Sequence, residues 1–180
     1  MDFQAIVKGR RSIRKFRHDP VPESEVAELI DLARHAPTSM NGQPWHFILV
    51  RSEAKKDRLA GIKNRYCPAE KKGYSADFMR HAAWIVVVCV DRARSHERAV
   101  ENAVLATAIL LLGAHERGWG SVFMTAYSPA EPALADEIRE LLGLPEGIDP
   151  VTLVPLGLPN ETPADKSLVP LERILHVESF

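Results

Sequence analysis

Trp84-Ile85-Val86-Val87-Val88-Cys89-Val90 is continuously apolar and rich in β-branched residues, which reads as a strand covered on both faces. Such a strand needs helices on both sides of its sheet. The chain offers several. Phe3 to Gly9 reads as a short helix, and Pro20 and Pro22 precede another from about Glu23 to Arg34. In the second, Val26, Leu29, Ile30 and Ala33 share one face, while Glu23, Glu25 and Arg34 complement the helix dipole. Ala54 to Ile62 forms a third, with Lys and Arg outside. Ser128-Pro129-Ala130-Glu131 has the form of a capping box opening a helix to Leu142.

His96 to Arg117 is the longest helix, closed by Gly118 as its cap. Between Ala99 and Ala114 its polar residues are Glu101, Asn102 and Thr107. That run is shorter than the roughly 20 residues a membrane span needs, so its surface belongs inside the fold or against another subunit. Strands are expected at His46–Val50, Trp119–Ala126 and Pro150–Leu156. Lys63–Ala76 shows neither helical nor strand period and reads as a mobile or ligand-facing segment. Beyond Gly157 the chain is proline-rich and is expected to wander over the surface or embrace a partner. No repeat or linker divides the 180 residues, so the expectation is one α+β domain over 1–180.

A net charge of −1 leaves no general excess of cations to neutralise phosphates, which excludes a broad nucleic-acid binder. Any anion site must be local. Cys67 and Cys89 form no CxxC pair, the seven histidines show no metal-ligand spacing, and no phosphate loop, GxGxxG run or GxSxG elbow occurs. His46, at a strand start, reads as a structural histidine. No catalytic acid, base or metal is assigned. The start Met1-Asp2-Phe3-Gln4 has no charged-then-apolar pattern, and a reducing cytoplasm without membrane contact is the expected setting.

Two stretches remain. Arg10, Arg11, Ser12 and Arg14 place four donors in five positions, enough to grip a phosphate; a solvated basic turn has the same composition. Ala36–Phe47 links a helix to a strand through two prolines, Gly42, and the uncharged donors and acceptors Thr38, Ser39, Asn41 and Gln43. Alone it fits a helix-to-strand corner, with Trp45 and Phe47 as core beneath. Together, the clamp and the neutral polar loop suit a ligand with one phosphate and a polar heterocycle, a description that flavin mononucleotide (FMN) meets.

These stretches resemble the flavin-dependent nitroreductase family. Arg10-Arg11-Ser12-Ile13-Arg14-Lys15-Phe16 is similar to its RRSxRxF start, and Ala36–Phe47 to its AP-[ST]-x-x-N-x-QPW-x-F block. Glu101-Asn102-Ala103 with Gly118-Trp119-Gly120-Ser121 resembles its central helix and GxGS turn, and Val154–Pro159 its LGxP close. The resemblance implies a mixed central sheet flanked by helices in an intertwined homodimer with two interfacial FMN sites. Arg10, Arg11, Ser12 and Arg14 would hold phosphate and pyrimidine edge, and Pro37, Thr38, Ser39, Asn41 and Gln43 would reach the other subunit's flavin. Thr125 and Ala126 would lie at flavin N5, where many members carry a glycine-containing turn. Lys166 would approach the phosphate; the arginine that often follows it is missing, which implies weaker FMN binding unless Lys71 or Lys72 compensates. Arg11 and Lys15 are candidates for stabilising reduced flavin. The implied activity is ping-pong hydride transfer from NADH or NADPH to a small-molecule acceptor: a nitroaromatic, quinone or activated alkene. The alternatives are a flavin-binding or scavenging protein, and a flavin-fragmenting or reductively dehalogenating relative.

Overall fold

The computed structural model describes residues 2–67 and 73–180. Helices α1 (Phe3–Gly9), α2 (Glu23–Ala33), α3 (Glu53–Arg65), α4 (Ala99–Glu116) and α5 (Ala133–Leu142) enclose strands β1 (Trp45–Val50), β2 (Trp84–Asp91), β3 (Gly120–Ser121), β4 (Met124–Thr125) and β5 (Ile148–Gly157). The sheet runs β1-β2-β5-β3, with β4 also on β5. Its named pairs are antiparallel, and the parallel contribution is an isolated bridge from Ser12 to Ser121.

Alternation along β2 builds the two cores the apolar run demands. Ile85, Val87 and Cys89 pack with Leu59, Ile62, Leu134 and Ile138 of α3 and α5. Trp84 and Val86 pack the other way, on Val26, Leu29, Leu110 and Ala114 of α2 and α4. Each fully buried Leu or Ile contributes about 1.5–3 kcal/mol relative to exposure, so the layers hold mainly by burial. A buried hydroxyl pair ties α4 to β5: Thr107 Oγ1 lies 2.7 Å from Thr152 Oγ1 and also donates to Ala103 O at 2.8 Å, in a site closed to solvent.

Several expected elements take different bounds. α3 runs on to Arg65, so Lys63–Arg65 of the Lys63–Ala76 segment is helical, while 68–72 of that segment lie outside the described residues. β5 is longer than expected at both ends. α4 begins at Ala99, not His96, because His96 and Glu97 stand at φ 48 and 59, outside helical space. Its end is as expected, with Gly118 at φ 76 beyond the cap. α5 starts after Pro132 rather than Pro129; the residue preceding a proline is pushed out of the helical region, which stops Glu131 from continuing a helix. The Ser128–Glu131 run closes a single turn, with Glu131 N donating to Ser128 O. Trp119–Ala126 keeps one register against β5 but is split, because Val122 faces Pro155. Val122 N donates to Pro155 O at 3.3 Å, and proline has no N–H to return the bond.

α4 is the helix among the described residues long and apolar enough, by length and composition alone, to span a membrane. Here its inner face is built into the fold against α2, β2 and β5. Its outer face leaves Val100, Val104 and Leu105 exposed. The chain after Gly157 crosses back along Phe16, through Arg17 N to Leu158 O and Asn160 N to Lys15 O. Beyond that it runs exposed, with Leu168, Leu171, Ile174, Leu175 and Val177 all in solvent.

Candidate functional site

The basic segment is laid along β3. Ile13 N donates to Ser121 O at 3.0 Å, and Ile13 sits so close that a Cβ on Gly120 would fall 2.6 Å from its Cγ2. The glycine of the GxGS turn is therefore required by Ile13. This placement leaves Arg10, Arg11 and Ser12 half-buried at the end of α1 and Arg14 exposed.

Arg11 is consumed structurally. Its Nη1 reaches the carbonyls of Lys8, Gly9 and Arg10 at 2.6–3.1 Å, while Nε donates to Ala164 O and Nη2 pairs with Asp165. Its guanidinium thus pins the distant tail to α1. That delivers Lys166, whose Nζ donates to Val7 O at 3.2 Å. Desolvation, then Arg10 and Arg11, hold the Lys166 ammonium below the ordinary lysine range. His115, in the last turn of α4, lies in the same group; burial and then Arg10, Arg11 and Lys166 push its imidazole down. Arg10 and Arg11 disfavour the charge of Lys166 and His115, and such a cluster is suited to an anion.

A second focus lies beyond Ser12. Glu161 of the tail accepts the backbone N–H groups of Arg14 and Lys15, turning the Arg14 side chain toward a cavity of about 300 Å³. Lys63, Tyr66, Cys67, Tyr74, Phe123, Met124 and Thr125 complete its lining. Burial raises the Tyr74 hydroxyl's pKa despite Arg14 nearby. Lys63 Nζ donates to Thr125 O at 2.8 Å. The two expected flavin-N5 positions behave differently here. Ala126 is fully buried and its N–H donates to Val151 O at 2.9 Å, so it belongs to the sheet. By the alternation of an antiparallel ladder, the N–H of exposed Thr125 points away from β5. Lys71 and Lys72 lie outside the described residues.

The polar loop is strained. Met40, Asn41 and Gln43 stand at φ 51, 53 and 46, a left-handed conformation that costs roughly 1–2 kcal/mol per ordinary residue. Gly42, expected to supply unusual dihedrals, is at φ −65 instead. It is glycine for space: a Cβ there would sit 2.1 Å from Arg94 O. Inside the loop, Gln43 N donates to Thr38 Oγ1 and Gln43 Nε2 to Asn41 Oδ1. Pro37, Asn41 and Gln43 are exposed, Thr38 and Ser39 half-buried. On the edge strand β1, Trp45 and Phe47 are half-buried; Phe47 still packs against two core clusters, whereas Trp45 packs against neither.

What holds the loop is Asn102, 2% exposed on α4. Its Oδ1 accepts Ser39 N at 3.0 Å, its backbone oxygen accepts Trp45 Nε1 at 3.0 Å, and its Nδ2 donates to Ser95 O at 3.1 Å. The sequence signal was present: a lone amide in an apolar helix. His115, Lys63 and Tyr74 carried no comparable signal, because only tertiary packing brings them to these foci.

Asn102 and His115 anchor the two halves of the predicted site near opposite ends of α4, about 20 Å apart along its axis. Arg10, Ser12 and Lys166 gather around the His115 end. Ser39, held by Asn102, and with it the rest of the Pro37–Gln43 loop lie at the other, while Arg14 and Thr125 line the separate cavity. A larger cavity of about 720 Å³ near His18, Lys56, His81 and Trp84 contains none of these residues. Of its cations, Arg17 pairs with Asp19, Arg80 with Asp57 and Asp77, Lys56 Nζ donates to Ala82 O, and Arg51 lies over the Trp84 ring.

Residues 7–158 match the model of the Nitroreductase family. A protein of Methanothermobacter thermautotrophicus with the provisional name NADH dehydrogenase/NAD(P)H nitroreductase is 32% identical over 182 residues, covering 100% of this chain and 88% of that one. A solved structure from Parabacteroides distasonis with the same provisional name superposes with a TM-score of 0.86 at 26% identity, covering 98% of each chain. The FMN-dependent nitroreductase of Clostridium difficile R20291 shares the fold at TM-score 0.86 and 23% identity, over 99% of this chain and 100% of that one.

Proposed function

This chain belongs to the Nitroreductase family, and from that premise we propose that it is an FMN-dependent NAD(P)H oxidoreductase working as a homodimer, with residues 1–180 as one FMN-binding domain. The observation that carries the reading is the cluster of Arg10, Lys166 and His115 at the end of α1. Its donors fit a phosphate: two fixed cations, a hydroxyl at Ser12 and an imidazole. Arg14, Thr125 and the cavity beside them would take the pyrimidine edge. The outward N–H of Thr125 would replace the donor that a glycine turn supplies elsewhere.

Bound FMN would supply the redox chemistry, taking a hydride from NADH or NADPH and passing it to a nitroaromatic, quinone or activated alkene. The chain's own residues position and polarise. Arg14 and Lys63 would place positive charge where reduction builds negative charge. The strained loop, anchored by Asn102, would present Thr38, Ser39, Asn41 and Gln43 as a rigid wall with no net charge. Since clamp and loop are anchored at opposite ends of α4, the loop would serve the cofactor of a second copy. The outer residues Val100, Val104 and Leu105, and the apolar side chains of the tail, supply surface for that pairing.

The test is direct. The purified protein should be a dimer, take up about one FMN per chain and lose its flavin absorbance under anaerobic NADH or NADPH. Arg10→Ala should weaken FMN binding at least tenfold, and Arg34→Ala, whose guanidinium pairs with Asp31 far from the clamp, should not. A monomer that ignores added FMN defeats the reading. A flavin that neither nucleotide bleaches would point to a binding or scavenging role.

A further inference from the structure

His115 is the one member of the phosphate group whose charge is adjustable near neutral pH. Its place is set by packing. α4 brings the ring against the end of α1, so close to Gly9 that a Cβ there would lie 2.8 Å from Nε2. The charged groups around it are Arg10 and Arg11 beyond α1, Lys8 in that helix's last turn, and Lys166 from the tail. Asp165 is the carboxylate on this side and is paired with Arg11. Glu116 follows on the same helix and is exposed, and Arg117 turns toward Glu28 and Trp119. β3, packed against this end of α4, contributes Gly120 and Ser121, which carry no charge.

We propose that His115 is the proton-accepting ligand of this clamp: neutral while the site is empty, and protonated when a phosphate monoester lies among Arg10, Ser12 and Lys166. The inference rests on the FMN reading for its ligand and on geometry for its site. Without an anion, three neighbouring cations and partial burial oppose a fourth positive charge. A phosphate dianion reverses the sign of the local field, and the imidazolium becomes a charge-assisted donor. The proton comes from solvent. Binding therefore consumes a proton in the interval between the imidazole's ionisation without and with phosphate, and affinity falls as pH rises through that interval.

FMN's own phosphate complicates the acid side, because its second ionisation lies near pH 6 and a cationic site favours the dianion, releasing a proton. Above about pH 6.5 that contribution fades and His115 remains. The experiment is FMN affinity from pH 6.5 to 8 for wild type and His115→Gln, with riboflavin as the ligand lacking phosphate. Calorimetry in two buffers of different ionisation enthalpy counts the protons. Wild type should weaken by up to about tenfold per pH unit across part of this range, with proton uptake; His115→Gln should be nearly flat, and riboflavin flat in both. Equal slopes in wild type and variant overturn the proposal, as does equal proton uptake with riboflavin.

A readout on the wild-type protein keeps the two readings separable. The His115 imidazole, followed by NMR, should move toward its protonated position when inorganic phosphate is added. If FMN does not bind but phosphate produces this shift, the clamp stands and the flavin assignment fails. If FMN binds and the imidazole stays neutral, the flavin assignment stands and this inference fails. If neither ligand moves the imidazole, His115 has no part in anion binding.

Discussion

Asn102→Ala is expected to lower the melting temperature by roughly 2–12 °C, given about 2–4 °C per kcal/mol for a chain of this size. Asn102 is closed to solvent and its side chain satisfies Ser39 N on one segment and Ser95 O on another. Alanine leaves the half-buried Ser39 N–H without its acceptor and takes one of two donors from the buried Ser95 O, which Arg98 N still serves; the loss is about 1–3 kcal/mol in all. The Trp45 contact survives, because it uses the backbone oxygen of residue 102. The damage should thus be local to the loop before it is global. Amide hydrogen exchange at Ser39 should accelerate far more than exchange in β2. Thermal unfolding checks the size and exchange checks the location; a loss below about 1 kcal/mol would mean that Asn102 does not hold the loop. FMN affinity should fall with it, since the wall of the site would no longer be rigid.

Gly42→Ala should do comparable harm through a different cause. The residue is at an ordinary φ of −65, so alanine meets no dihedral penalty. Its Cβ would instead sit 2.1 Å from a backbone oxygen, Arg94 O, and 3.0 Å from the His96 ring. The loop and the turn before α4 must separate, costing about 1–3 kcal/mol by overpacking and displacing Asn41 and Gln43 from the wall. Gly61→Ala is the control. Gly61 lies inside α3, nothing is within 4 Å of its Cβ position, and alanine there should stabilise by about 0.5–1 kcal/mol. Equal melting temperatures for the two variants would refute the steric account.

The architecture was legible wherever one physical signal dominated. The apolar β2 run demanded two covering layers and has them, and the periodic apolar face of α2 packs as its spacing predicts. Boundaries failed where two local signals competed. The Ser-x-x-Glu box at Ser128 lost to Pro132, and the Trp119–Ala126 strand lost two ladder positions to Pro155, a residue some thirty positions away in sequence. The site was legible as residue types but not as roles. Arg11 read as a phosphate ligand, yet its donors are spent on carbonyls and Asp165, which only the folded tail could bring to it. Gly42 read as a dihedral device, yet the neighbour that requires it, Arg94, is fifty residues on. His115 was invisible because its chemistry comes from surroundings contributed by three separate segments.

The two cysteines differ in a way that has practical use. Cys89 is fully buried in β2, and burial, with a smaller contribution from Asp149, pushes its thiol up to about 12. At neutral pH its thiolate fraction is on the order of one in 10⁵, and no reagent can reach it without opening the sheet. Cys67 is half-exposed and lines the cavity shared by Arg14, Lys63 and Thr125. A thiol-directed label added to the folded protein therefore has one address. Its rate of attachment becomes a chemical clock for occupancy of that cavity, slowing when cofactor or acceptor covers Cys67 and requiring no engineered residue.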